Sequence, residues 1–386
     1  MVAEIQIDKN GKRLSRHIER ALIRSHARLT YDQVQAVFDG VMDEADCDVP
    51  HGCLHALFGA WRALEQDRED RKPLALNLKE RRVVMDETGK AIAISQRSQT
   101  ESQRLIEDFM IAANVAAADS LIASRQPCVF RVHDTPDQKK AATLNKLAES
   151  VGGNFTTGQV LRPYHFNQIL ALAENTPDAL TVNEAVLRSQ AKAVYSIDNI
   201  GHFGLSLRNY AHFTSPIRRY ADLLVHRALV DAAAGRKTGP KDGLNGMALD
   251  QIAEICTHIS ETEANAAAAE RRTIDRFAAA LFEARLGAVV DGVIVTITGF
   301  GAFIRLEDGA ADGLLPLNGF PDDFYDYDEA AQSLDGRHNG WRFVMGLSLR
   351  VKVTKVTPVS GGIPVSYTHL RAHETRGNLV CRLLLE

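Results

Sequence analysis

Apolar and polar residues alternate over residues 2–8 (VAEIQID) and again over 12–20, on either side of Lys9-Asn10-Gly11. That period of two around an Asn-Gly pair predicts a β-hairpin. The period then lengthens. Thr30 and Gln33 have capping-box spacing and predict a short helix from Tyr31 to Phe38. Leu54, Leu57, Phe58, Trp61 and Leu64 form a helical apolar stripe, and short strands are expected at Leu74–Leu78 and Ala91–Ile94 with a turn at Thr88-Gly89. A second capping box, Thr100 and Gln103, opens a long helix to Ser124 whose apolar face is Leu105, Ile106, Phe109, Met110 and Ala113. CVFRVHD, Cys128 to Asp134, reads as a buried strand; Asp137–Val151, Phe166–Glu174 and Asn183–Tyr195 read as helices. A glycine-rich polar loop, Gly235–Gly246, precedes one alanine-rich helix over Asp250–Leu286. At Gly287 the period falls back to two, through AVVDGVIVTITGFGAFIRL (Ala288–Leu306) and later LRVKVTKV (Leu349–Val356). Glycines at 292, 299 and 301 suit the sharply coiled strands of a small barrel. The expected fold class is α+β: a helix-rich mixed α/β body over 1–286, then a small OB-type β-barrel over 287–363.

Composition narrows the function classes. The 386 residues are 45% apolar and 24% charged, an ordinary soluble balance, with a formal net charge of −4. No global basic field advertises nucleic acid, so any such site must be a local basic patch or channel. Five cysteines, odd in number and without C-x-x-C spacing, imply neither a zinc site nor a disulfide framework and fit a reducing, cytoplasmic setting. The sequence has no run of 18 apolar residues and no signal peptide, so no membrane partner is expected.

Candidate chemistry concentrates in HFTSPIRRYADLLVHRAL, His212 to Leu229. Ser215 is placed to cap a helix with Pro216 at its first position, which sets Arg218 and Arg219 where free N–H groups and the positive dipole end point. Such a mouth suits phosphate; the plainer reading is a capped helix whose arginines pair with acids. Asp222 and His226, four apart, have metal-ligand spacing but read better as a helix pair beside an arginine. Glu107 and Asn114 share a face of the long helix two turns apart, for which a solvated polar stripe is the better reading. Phe300 and Phe303 flank a barrel turn and, with Lys352 and Lys355, fit stacking on single-stranded nucleic acid, or else serve as core. The cluster Asp322, Asp323, Asp326 and Asp328 lacks the glycine and glutamate of an EF-hand and reads as a solvated acidic loop.

With HFGL (His202–Leu205) ahead of it, HFGLSLRNYAHFTSPIRRYADLLVHRAL resembles the most recognisable segment of the ribonuclease II/ribonuclease R (RNB) family of 3′→5′ exoribonucleases. The likeness runs from Met1 to about Ile363, and the last part resembles an S1-type RNA-binding barrel, although GLLPLN (Gly313–Asn318) stands where a histidine often follows the third strand. The resemblance implies hydrolysis of single-stranded RNA to nucleoside 5′-monophosphates with Mg²⁺, by a cytoplasmic monomer. It implies that Arg218 contacts the scissile phosphate, with Arg219 beside it. Tyr31, in ARLTYDQV, matches an aromatic near the RNA 3′ end; Glu107, in RLIEDFMIAAN, a carboxylate on the terminal nucleotides; Glu270, in AERR, another RNA-facing carboxylate. Leu78 stands where relatives often place a stacking phenylalanine.

The resemblance carries two expectations about the ends. Met1 matches an internal position of the catalytic domain, so the family's Asp-rich metal segment is expected upstream, this chain is expected to hold no metal, and alone it is expected to be inactive. A non-catalytic single-stranded RNA-binding protein is the alternative. Residues 364–386, with VSYTHLRAHET from Val365, resemble a translated sequencing adapter, which would leave the barrel without its closing strand and with an open edge.

Overall fold

The computed structural model describes residues 1–78, 80–97, 99–137, 144–145, 148–149, 151–153, 160–176, 179–236, 244, 246–329 and 332–370. The hairpin is present: β1 (Val2–Ile7) pairs antiparallel with β2 (Arg13–Glu19). Its turn presses on α2 (Cys53–Arg71), and a Cβ on Gly11, at φ +76°, would lie 2.1 Å from the Ala63 carbonyl oxygen. Only glycine fits there.

Both capping boxes form. Thr30 Oγ1 accepts from the Gln33 N–H at 3.2 Å at the head of α1 (Tyr31–Phe38), and Gln103 accepts from the Thr100 N–H at 3.0 Å at the head of α3 (Glu101–Ala123). A second hairpin joins β3 (Glu80–Met85) to β4 (Ala91–Arg97). The strand β5 (Phe130–Val132) pairs with β6 (Val194–Ser196). Between them lie α4 (Pro163–Ala173) and α5 (Ala179–Ser189). Most of the helix expected over 137–151 and of the loop expected over 235–246 lies outside the described residues. The body closes with α6 (Tyr220–Ala233) and α7 (Leu249–Phe282). Leu121, Val129, Leu224, Val225 and Ile252 form its central core.

Three expectations change here. Residues 74–78 form no strand: the Ala75 and Asn77 N–H groups donate to the side chains of Asn167 and Asn183 at 2.9 and 2.8 Å, which replaces a ladder. The helix expected over Asn183–Tyr195 starts earlier and stops at Ser189, and Tyr195 belongs to β6. The helix expected to start at Pro216 starts at Tyr220 instead.

In the barrel, β7 (Val289–Thr298), β8 (Gly301–Leu306), β9 (Ala311–Pro316), β13 (Ser348–Val353) and β14 (Val365–Leu370) form one sheet in the order β14-β13-β7-β8-β9. The Leu314 N–H donates to the Ile363 carbonyl at 2.9 Å, so the two edges meet and the sheet curls closed. The open edge expected at β13 is therefore covered: residues 365–370 of the tail pair with it, and Val365 is buried. A smaller sheet of β10 (Tyr325–Asp328), β11 (Ser333–Gly336) and β12 (Arg342–Val344) sits beside it. There the Asp323 carboxylate accepts from the His338 and Asn339 N–H groups, and Asp326 pairs with Arg337 at 2.6 Å, so the acidic run is tied into its own hairpin.

Body and barrel share material. Ala278, Ala279 and Phe282 at the end of α7 belong to the barrel core with Ile294, Ile304 and Leu306. Arg188 of α5 donates to the carbonyl of Val295, at the point where the β7–β8 register slips. Arg305 reaches Glu184, and Arg81 pairs with Asp312 at 2.8 Å, along a cleft of about 1640 Å³. Helix and strand in this proportion, with the closed barrel at the end, make the molecule α+β, as the periodicity predicts.

Candidate nucleic-acid interface

Residues 213–219 are a turn, not the first turn of a helix. The Arg218 and Arg219 N–H groups both donate back to the Ser215 carbonyl, at 3.3 and 3.1 Å, and Arg219 is extended (φ −127°, ψ 119°) immediately before α6. The Asp222 carboxylate, fully buried, takes the Ser215 N–H at 2.7 Å. That bond holds Ser215 in the turn and delays the helix to Tyr220. So Pro216 does not occupy a helix start, and the dipole end lies four residues beyond the expected position.

The two arginines are placed differently. Arg219 Nη2 donates to Asp222 Oδ1 at 2.8 Å, with Nε 2.8 Å from Oδ2, so a half-buried guanidinium is paired with a fully buried carboxylate. The Arg218 side chain is exposed, and its guanidinium has no ion-pair or hydrogen-bond partner among the described residues. Asp222 is thus the arginine partner the sequence suggested, while His226 is not: its Nε2 lies 2.8 Å from the Phe213 carbonyl and its ring stacks on Phe213.

Asn114 corrects the sequence reading outright. It is buried, not solvated, and its Oδ1 accepts from the Phe213 N–H at 2.8 Å and the Thr214 N–H at 3.3 Å, while Nδ2 donates to the Tyr210 hydroxyl at 3.1 Å. The same helix carries Glu107 and touches Tyr31 of α1. Glu107 is exposed two turns earlier and takes Gln99 Nε2 at 2.6 Å. Tyr31 is 43% exposed, and its carbonyl accepts from Ser102 Oγ in the first turn of α3. Tyr31, Glu107 and the Arg218 turn are therefore strung along α3, about 18 Å from Ser102 to Asn114 at 1.5 Å per residue. The Tyr31, Glu107 and Arg218 side chains are all exposed.

Behind the turn lies a group the sequence did not single out. Tyr195 Oη lies 2.9 Å from His212 Nδ1, and the Arg131 guanidinium sits 4.7 Å over the Tyr195 ring while bonding Glu263 of α7 at 2.6 and 3.0 Å. Burial, then the nearby Arg219, Arg131, His202 and Arg218, push the His212 imidazole down to about 3, so it is neutral at ordinary pH. Burial and His133 do the same to His202, also to about 3. Glu270 is exposed on α7, two turns beyond Glu263 on the same face. The residue types (His, Tyr, Arg) were visible in the sequence; their meeting across a strand pair, a loop and a helix was not.

The segment before α1 is locally basic. Arg20, Arg24 and Arg28 are exposed at regular spacing on an irregular stretch that leads to Tyr31, and none has an ion-pair partner among the described residues. On the barrel, Phe300 is 59% exposed at the β7–β8 turn and meets the half-buried Phe303 edge-on at 6.2 Å. Neither is in the barrel core, which answers the core alternative, and no described contact joins this hairpin to the Arg218 turn. Leu78 lines the cleft between body and barrel.

Among the described residues no group of three or more His, Cys, Asp and Glu side chains can hold a metal ion. The buried Asp222 carboxylate is committed to Arg219, and the half-buried Asp119 carboxylate to Arg13 and Asn209. The described residues therefore do not fit the Mg²⁺ that the resemblance implies. No helix among the described residues is long and apolar enough to cross a membrane.

A helical body with an arginine turn, continuous with a closed OB-type barrel, defines a two-part architecture. The chain belongs to the RNB domain family: residues 1–235 match the RNB domain, and residues 283–368 match the S1 RNA binding domain. It is 33% identical to ribonuclease R of Aquifex aeolicus (strain VF5) over 375 residues, covering 96% of this chain and 52% of that protein. Ribonuclease R of Escherichia coli (strain K12) is 31% identical over 363 residues, 92% of this chain and 44% of that protein. The fold superposes with a TM-score of 0.87, at 27% identity, on Mycoplasma genitalium RNase R in complex with ribose methylated single-stranded RNA, covering 95% of this chain and 57% of that one. The chain thus spans about half the length of the curated relatives it matches.

Proposed function

We propose that this chain is the RNA-binding and phosphate-positioning part of a 3′→5′ exoribonuclease that acts on single-stranded RNA, the intact enzyme releasing nucleoside 5′-monophosphates with Mg²⁺ in the cytoplasm as a monomer. The observation that carries it is Arg218: an exposed guanidinium without an ion-pair partner among the described residues, on a turn whose backbone is fixed by buried side chains. Such a group is preorganised for a phosphate and loses no partner on binding it. Tyr31 stacks on a base, Glu107 accepts from ribose or base donors, and Arg20, Arg24 and Arg28 track the backbone. Glu270 faces the strand from α7, and Phe300 and Phe303 offer a second stacking platform on the barrel. The relatives named ribonuclease R support the same reading.

Chemistry limits what this chain does alone. One preorganised cationic donor stabilises a transition state by about 3–4 kcal/mol. Phosphodiester hydrolysis demands far more, which paired metal ions supply by clamping the attacking and leaving oxygens. Residues 1–386 should therefore bind RNA without shortening it. Incubating the chain with 5′-labelled oligo(A) and Mg²⁺ tests this: binding in a mobility shift with no 3′ trimming is expected, and a ladder of shortened products would refute the claim. Absence of binding at low salt would refute the RNA reading itself. The DNA upstream of the Met1 codon separates the two family roles. An in-frame segment encoding an Asp cluster supports the enzyme, and a stop codon with a start signal supports a non-catalytic binding protein.

A further inference from the structure

We propose that Asn114 is the positioning residue that presents Arg218 to the RNA phosphate, an inference that rests on the functional reading above. The turn 213–219 belongs to no helix or strand, so its shape is not set by a backbone ladder. It hangs on side chains from two helices. Asn114 of α3 takes the Phe213 and Thr214 N–H groups, Asp222 of α6 takes the Ser215 N–H, and His226 of α6 meets the Phe213 carbonyl. Ser215 in turn fixes the Arg218 and Arg219 amides through its own carbonyl. Arg218 is thus three residues from a backbone held at successive positions.

The chemistry of the site selects asparagine. Two adjacent N–H groups need one acceptor between them, and the Tyr210 hydroxyl on the other side accepts a donor. A short carboxamide supplies both without charge. Aspartate would keep the acceptor bonds but add a negative charge near the phosphate. Leucine would leave two buried N–H groups unpaired. Asn114 comes from an element about a hundred residues earlier in the chain than the turn, so its bonds also tie the turn to the helix that carries Glu107 and meets Tyr31.

The test measures oligo(A) affinity against salt for the whole chain and for Asn114→Leu, Asn114→Asp, Arg218→Ala and the Asn114→Leu/Arg218→Ala double variant. Asn114→Leu should lose about tenfold in affinity, and its salt slope should fall by about 0.7, the value of one single-strand phosphate contact, as in Arg218→Ala. The double variant should bind no worse than Asn114→Leu, because the two residues act as one unit. Asn114→Asp should keep the parent slope while losing a few-fold in affinity. An unchanged slope in Asn114→Leu, or additive losses in the double variant, would overturn the proposal. If Asn114→Leu does not fold, Tyr210→Phe removes only the hydroxyl that orients the amide. It should lower the slope in the same direction, and no change there would count as refutation. Amide hydrogen exchange tests the frame without RNA: Phe213 and Thr214 should be protected in the parent chain and lose protection in the variants. A parent chain that binds no RNA but shows this pattern fails the functional reading alone, and unprotected amides in the parent fail the frame.

Discussion

The Arg218 turn and the Phe300 hairpin both offer side chains to RNA, and they are built in opposite ways. The hairpin stands on an apolar core, with Ile294, Ile304 and Leu306 fully buried beneath it. Its tight turn has a single demand, Gly301, whose Cβ would lie 2.3 Å from the Leu315 carbonyl oxygen. The Arg218 turn stands on polar groups, the buried Asn114 and Asp222 and the half-buried His226, each bonded to a specific backbone group of the turn. Apolar packing is non-directional and tolerates repacking, whereas a polar frame fails when any one partner is removed. In the hairpin, then, binding and stability are separable; in the turn they are coupled.

Mutations can break that contrast. The largest effect is expected from Asp222→Ala, which strands Arg219 and the Ser215 N–H: stability should fall by about 3–5 kcal/mol, and RNA affinity with it. Urea melts and oligo(A) titration of the same sample check both halves. Ile304→Ala should cost a similar ~2–5 kcal/mol in stability. In the surviving folded fraction, RNA affinity should stay within about twofold. If affinity collapses with it, the separation of hairpin and turn is wrong. Phe300→Ala is the converse, expected to weaken binding by about 1–3 kcal/mol with an unshifted melting temperature.

Acid sharpens the contrast from the polar side. His202 and His212 titrate near 6.5 when unfolded and near 3 when folded, so below about pH 6.5 the unfolded chain takes up protons that the folded chain refuses. Stability should fall as pH drops from about 6.5 toward 3, by at most about 1.4 kcal/mol per pH unit for each histidine. His212→Gln should flatten that dependence, and an equal slope in parent and variant would rule His212 out as a source. The smallest effect concerns Arg218: Arg218→Ala should flatten the salt dependence of binding by about 0.7 and leave stability unchanged.

The sequence was most informative where structure is local. The Lys9-Asn10-Gly11 hairpin, the two capping boxes and the switch of period near Gly287 each depend on residues within a few positions of one another, and all are present. It was least informative where a distant side chain decides the matter. Ser215-Pro216 has the makings of a helix start, yet Asp222 captures the Ser215 amide and the helix waits. Leu74–Leu78 alternates like a strand, yet Asn167 and Asn183 take the bonds a neighbouring strand would take. Asn114 reads as polar on a helix and therefore as wet, but its partners lie about a hundred residues away. Tyr195, His212 and Arg131 were missed for the same reason. Val365–Leu370, set aside as foreign by its likeness to an adapter, has the right alternation to complete the sheet and does so.

The helix α7 runs unbroken from Glu263, which grips Arg131 behind the turn, to Phe282 inside the barrel. At 1.5 Å and 100° per residue, that fixes the axial offset at about 28 Å and also the angular phase between the two halves. A single inserted or deleted codon in this stretch would swing the barrel by about 100° around the shaft. Substitutions at the exposed positions between these anchors leave that phase intact, whereas a change of length would misalign one end or the other.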